Sequence, residues 1–219
     1  MRGRKKSQKT RMAIVQCAAE IFSKREFHEV LTDDIAQRLG IGKGTLYRYF
    51  KSKEELYLAA IAEGLNGLHA AVTAVLQQDG ALETTIEAVV GTMITYFWRQ
   101  RDFFILVHRV EPKLRAQERT DWQNRRNEVV SMVRRVFERA TAQGEIGALD
   151  TRLAVEILFG MIRAACLYRS ESDRPEELTR QVTSIFLRGL TGEARAPADR
   201  ARTPKIVGAG TVKGGTPHS

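Results

Sequence analysis

Apolar residues recur at helical spacing along most of this chain. No stretch alternates apolar and polar residues long enough to read as a strand. Ile14, Cys17, Ala18, Ile21 and Phe22 share one face of a first helix over about 10–25. Two short helices follow, at 32–39 and 43–49. Ser52 and Glu55 are spaced as a capping box before Leu56 and open a long helix to about Leu76, which Gln78-Asp79-Gly80 ends. Further helices are predicted at about 81–99, 103–110 and 114–142. Asp102 is placed to cap the short one and Pro112 to stop it, and Gly144 is the C-cap of the long one. Asp150 caps a helix to about Tyr168, and Asp173-Arg174-Pro175 opens a last one to about Leu190. The fold class is therefore all-α, with about nine helices.

Composition marks where this pattern stops. From Glu193 to Ser219 the chain is rich in Gly, Pro, Thr, Ala and Arg, and no helical face continues. That stretch buries too little apolar area to offset its ordering entropy, so 192–219 is expected to be a disordered tail. The formal net charge is +9, unevenly placed. Residues 1–11 hold six basic residues and no acid, whereas 12–60 and 61–190 each balance to zero. A basic arm before a neutral body suits a polyanionic partner, because each cation set on a phosphate releases counterions. Two cysteines, Cys17 and Cys166, do not make a disulfide scaffold and fit a reducing compartment. No apolar run approaches the ~20 residues of a membrane span. The expectation is a soluble, cytoplasmic protein without a membrane partner.

The segment Leu31 to Phe50 carries the strongest functional signal. Thr32 is placed to cap a helix, and Asp33 and Asp34 suit its positive end. Ile35 and Leu39 face inward, Ala36 admits a close crossing helix, and Gly40 suits a left-handed turn. Leu46 and Phe50 give the second helix its inward face, which leaves Lys43, Gly44, Thr45, Tyr47, Arg48 and Tyr49 to point outward or across. That helix is poorly built for stability alone: Gly42 and Gly44 each cost roughly 1 kcal/mol against Ala if they lie inside it. Lys, Arg, Thr and Tyr supply the donors that phosphates and base edges accept. The reading is a helix-turn-helix that binds double-stranded DNA.

Thr32 to Phe50, continued by Lys51-Ser52-Lys53-Glu54-Glu55-Leu56, resembles the DNA-binding domain of the TetR (tetracycline repressor) family. One departure is Gly42, where many members carry Ser or Ala. The resemblance implies an N-terminal three-helix domain, 1–56 with its arm, and a helical effector-binding and dimerisation domain, 57–191. It also implies a homodimer and a small molecule whose binding tilts the long fourth helix and loosens DNA binding. By the same resemblance Thr32, Tyr49 and Tyr47 hold the DNA backbone, and Lys53 contacts a phosphate. Lys43, Gly44 and Thr45 face the major groove, and Arg48 reads a base or grips a phosphate. The arm, with Arg4 and Lys5, reaches the minor groove or the backbone.

The helix from Asp150 to Tyr168 is apolar on more than one side, which suggests core on one front and a second subunit on the other. Leu153, Ile157 and Met161, with Leu178, Val182 and Ile185 of the last helix, are the candidate seam. Arg163, in an otherwise apolar stretch of this helix, either pairs with an acid across the seam or reaches for water. The unidentified effector is expected among Tyr96, Phe97, Phe103, Phe104, Val107, His108 and Trp122. Catalytic residues, metal ligands and cofactors are expected to be none, since no His or Cys pair has ligand spacing and no Gly-rich loop cradles a phosphate. The chain reads as a ligand-responsive regulator, a repressor that binds a pseudo-palindromic operator as a homodimer. Two other readings fit: an architectural or division-linked DNA binder without a small effector, and an enzyme with a vestigial DNA-binding domain.

Overall fold

The structure, a computed structural model, describes the backbone of residues 2–78, 80–109 and 116–191, and their side chains except 2–5, 116–122 and 191. The expected tail at 192–219 lies outside the described residues. The order is α1 (Arg2–Lys24), a 3-10 turn at Phe27–Glu29, α2 (Thr32–Arg38), α3 (Lys43–Tyr49), α4 (Lys53–Leu76), α5 (Leu82–Arg99), α6 (Arg101–His108), α7 (Ala116–Ala142), α8 (Thr151–Leu167) and α9 (Pro175–Thr191). Among the described residues there is no strand.

Helices α1 to α3 close around Ile14, Ala18, Ile35, Leu46 and Phe50, all with no solvent exposure. The turn between α2 and α3 works as its sequence suggests. Gly40 adopts φ 64°, and the Ile41 amide reaches back to the Ala36 carbonyl at 3.0 Å, which satisfies an end of α2 that a Cβ at Gly40 would strain. Gly144 (φ 75°) ends α7 in the same way, with Glu145 N to Ala140 O at 2.9 Å. The Ser52 hydroxyl caps α4 by accepting from Glu55 N at 3.1 Å, and Asp150 caps α8 by accepting from Leu153 N at 3.0 Å.

Several local expectations are corrected. α1 starts at Arg2 rather than near residue 10, so the basic arm is helical: Lys, Arg and Gln are good helix formers that extend the turns set by Ile14 to Phe22. Thr32 is the first residue of α2, and the cap position belongs to Leu31. Asp102 lies inside α6, where its carboxylate accepts from the Ser23 hydroxyl at 2.5 Å. Gly42 sits just before α3, so only Gly44 is a glycine within it.

In the second bundle α5 is the central helix, packed on α4, α9, α8 and α7. By length and hydropathy α4 could cross a bilayer. Here, however, Leu56, Ile61, Leu65, Leu68 and Val72 are buried against its neighbours. Gly64 permits the closest approach: a Cβ there would stand 2.0 Å from the Phe103 ring, so α6 lays that ring directly on the α4 backbone.

Candidate functional site

The outward side of α3 is open to solvent. Lys43, Gly44, Tyr47 and Arg48 are exposed, with Thr45 and Tyr49 half-buried. The inward Leu46 and Phe50 fix that orientation by their complete burial. Tyr47 and Thr32 touch through their hydroxyls at 3.0 Å, so the start of α2 and the middle of α3 present one paired donor–acceptor site. Lys43 is held by Asp33 at 2.9 Å, and this hydrogen bond, with the carboxylate charge, raises the Lys43 pKa above its ordinary value. The Tyr49 phenol is shifted below its usual range, chiefly by a hydrogen bond with Ser7 and then by Thr10 and Arg48. Arg48 lies over the Tyr49 ring at 5.6 Å, and Arg11 over the Phe50 ring at 5.1 Å. The start of α1 is thereby tied to the end of α3, so Lys6, Lys9 and Arg11 belong to the same neighbourhood as the exposed helix. The side chains of Arg4 and Lys5 lie outside the described residues.

Lys53 is placed differently from the expectation. Its ammonium donates to the carbonyls of Phe27 (2.8 Å) and Val30 (3.0 Å) and sits 4.5 Å over the Phe27 ring. Two of its three N–H donors brace the α1–α2 connection.

A cavity of about 380 Å³ lies between α4, α5, α6, α7 and α8. Leu65, Leu68, Met93, Phe97, Phe103 and Phe159 form its apolar part, and His108, Arg126, Glu156 and Arg163 its charged part. Of the expected effector residues, Phe97, Phe103, Val107 and His108 line it. Phe104 is buried behind them, with its ring 4.4 Å from His108. Tyr96 turns instead toward α4, donating to Gly64 O at 2.8 Å, and the Trp122 side chain lies outside the described residues. The His108 pKa is lowered, mostly by desolvation and further by Arg163 and Arg126, while a bond to the Phe104 carbonyl opposes the shift. At 2.8 Å from that carbonyl, Nδ1 carries the proton, which leaves Nε2 as an acceptor. Sequence reasoning missed Arg126 and Glu156, because charged residues on helices are solvated by default. Arg163, a cation in the more apolar second half of α8, was the available signal.

α6 joins the cavity to the helix-turn-helix. Two turns apart, Asp102 and Arg109 both face α1: Asp102 accepts from the Ser23 hydroxyl, and Arg109 pairs with Glu26. Arg109 also donates to Ser23 O at 3.4 Å, and its own carbonyl accepts from Tyr57 at 3.2 Å.

The candidate seam is partly rearranged. Leu153 (51% exposed), Ile157 (50%) and Ile185 (65%) stand out from the bundle, with Leu167 and Tyr168 beside them in sequence as further exposed apolar residues, and Met161 is half-buried. Leu178 (8%) and Val182 (6%) face the core of the bundle, alongside Phe186. They share the i, i+4, i+8 stripe that packs α9 on α5, so a second chain could not reach them. Burial raises both thiols, Cys166 to about 11, which keeps them protonated and unreactive. Among the described residues no group of His, Cys, Asp and Glu is arranged to hold a metal ion.

Comparison with known proteins agrees with this architecture. Residues 14–60 match the family model of bacterial regulatory proteins of the tetR family, and residues 79–190 match that of the tetracyclin repressor-like C-terminal domain. The HTH-type transcriptional activator FasR of Mycolicibacterium smegmatis is 30% identical over 104 residues, 46% of this chain and 48% of that protein. The chain thus spans about half the length of FasR. The crystal structure of the TetR family transcriptional regulator PfmR from Thermus thermophilus superimposes with a TM-score of 0.72 at 25% identity, covering 80% of this chain and 97% of that one. FadR from Bacillus subtilis, crystallised with stearoyl-CoA, has the same fold at 20% identity and a TM-score of 0.72, over 82% of this chain and 98% of that one. With its C-terminal family match alone covering half of its length, the chain belongs to the tetracycline-repressor family of bacterial regulatory proteins.

Proposed function

We propose that this chain is a cytoplasmic, homodimeric repressor that is released from a pseudo-palindromic operator by a small molecule with an apolar acyl portion, and that it catalyses no reaction of its own. Two copies of α3 read successive major grooves, with Lys43, Thr45 and Arg48 toward the bases. The Thr32–Tyr47 pair and Tyr49 grip the backbone, and the cations of α1 add sequence-independent attraction. The solvent-facing Leu153, Ile157 and Ile185 form the seam that brings the two copies together, since an apolar face of this kind is costly to leave in water.

The observation that carries the reading is the double role of α6. Phe103, Val107 and His108 line the cavity, while Asp102 and Arg109 hold α1. A ligand larger than the empty cavity pushes on Phe103 or its neighbours, and α6 passes that displacement to Ser23 and Glu26. A ligand shifts DNA affinity only by its differential affinity for the two positions of α6. The apolar floor suits an acyl chain, and the stearoyl-CoA bound by the structural neighbour FadR supports that class. The test is release of the chain from a selected DNA site by a panel of fatty acids and acyl-CoA thioesters of different length. Dissociation by one length class is expected. Retention of the site against the whole panel would overturn the acyl assignment.

A further inference from the structure

The mouth of the cavity holds an ion pair of unusual form for a ligand site. Arg126 of α7 grips Glu156 of α8 with both arms of its guanidinium, Nη1 to Oε1 at 3.1 Å and Nη2 to Oε2 at 2.6 Å. This is the fork geometry with which arginine takes any carboxylate or phosphate. The side chains are 32% and 40% exposed, so the pair lies where the cavity meets solvent. Arg163 lines the same mouth, and no acid pairs with it among the described residues. His108 beside them is held neutral. Among the described residues the mouth therefore presents two cations against one carboxylate, above an apolar floor of Leu65, Leu68, Phe97 and Phe103.

We infer that Glu156 is a resident substitute for the acidic head of the effector. In the empty cavity its carboxylate occupies the anion seat of Arg126 and clamps α7 to α8. An amphipathic ligand places its chain on the apolar floor and sets its own carboxylate or phosphate on Arg126 and Arg163, displacing Glu156. The inference rests on the reading of this cavity as the effector site and specifies its chemistry: an acyl chain bearing an anion, rather than a neutral apolar molecule. The cost of releasing Glu156 is met only by a ligand that supplies an equivalent anion, so the pair discriminates against esters and alkanes of the same shape.

The test measures binding of decanoic, myristic and stearic acid, their coenzyme A thioesters and their methyl esters to the full chain, with Glu156→Gln and Arg126→Gln beside the parent. Both sites are partly solvated, and helix content and Tm establish that each variant is folded. Glu156→Gln removes the internal competitor and is expected to bind anionic probes about tenfold tighter, with methyl esters unchanged. Arg126→Gln is expected to lose about tenfold or more for the same anionic probes. Preference for the free acids places the carboxylate at the seat, and preference for the thioesters places a phosphate there. Equal binding of acids and methyl esters by the parent, or no gain in Glu156→Gln, would overturn the inference while leaving the effector cavity standing. Failure of every probe to bind the parent would remove the effector reading and this inference with it.

Discussion

Replacing Asp33 with Asn releases Lys43 without changing side-chain shape. In the free protein the Lys43 ammonium is tied to that carboxylate at 2.9 Å, on a surface where both groups face solvent. Close to duplex DNA, Asp33 acts twice: it repels phosphate, and it keeps one cation per protomer occupied. On the proposed reading, removing the Asp33 carboxylate from the groove wall frees the Lys43 cation, and each protomer then offsets about one more phosphate charge. Each neutralised phosphate steepens the dependence of log K on log salt by about 0.9, so a two-protomer complex should steepen by about 1.8. From about 50 to about 200 mM salt the variant should therefore lose roughly tenfold more affinity than the parent. Its tighter binding to unrelated DNA should show at the low-salt end. The assay is fluorescence anisotropy with a selected site and a scrambled duplex over a salt series. Folding stability should change little, since a solvated pair contributes little to it. Parallel salt slopes for parent and variant would refute the placement of Asp33 and Lys43 at the DNA surface.

Three further perturbations test the packing and the coupling. Gly64→Ala drives a methyl into the Phe103 ring and should destabilise the chain by about 1–3 kcal/mol, read as a lower denaturation midpoint, with weaker effector binding alongside. Arg109→Ala removes the link from α6 to Glu26 and Ser23; operator binding should survive, but release by the effector should need several-fold more ligand in an anisotropy titration. His108 is held below its ordinary pKa of 6.5, so in acid the unfolded chain takes up a proton that the folded one resists. Stability should then fall as pH drops below about 6.5, and His108→Gln should flatten that part of the curve in pH-dependent thermal melts.

The helix-turn-helix was legible because its determinants are local. The small Ala36, the left-handed Gly40 and the inward Leu46 and Phe50 all fall within twenty residues, and burial confirms each inward position. Helical periodicity also located α8 and α9, but it does not say what covers an apolar stripe. Leu178 and Val182 repeat on α9 as a seam residue would, yet they pack on their own core, whereas Leu153 and Ile157 look outward. The same ambiguity separated Phe97 and Phe103, which line the cavity, from Tyr96, which turns to α4. Arg126 and Glu156 lie 30 residues apart, and only the crossing of α7 and α8 brings them together. The basic run Arg2 to Arg11 has no apolar face, so periodicity alone starts the first helix near residue 10. Its helical form comes from the turns that follow it and from Ser7 and Thr10 meeting Tyr49.

The central claim is that α3 reads duplex DNA and that two copies do so together. Selection of binding sites from random duplex DNA by the purified chain measures this directly. The account predicts an enriched two-fold symmetric site whose half-sites lie about one helical turn or more apart, and loss of that enrichment in a folded Tyr47→Ala/Arg48→Ala variant. An asymmetric or absent motif, or an unchanged one in the variant, would contradict it.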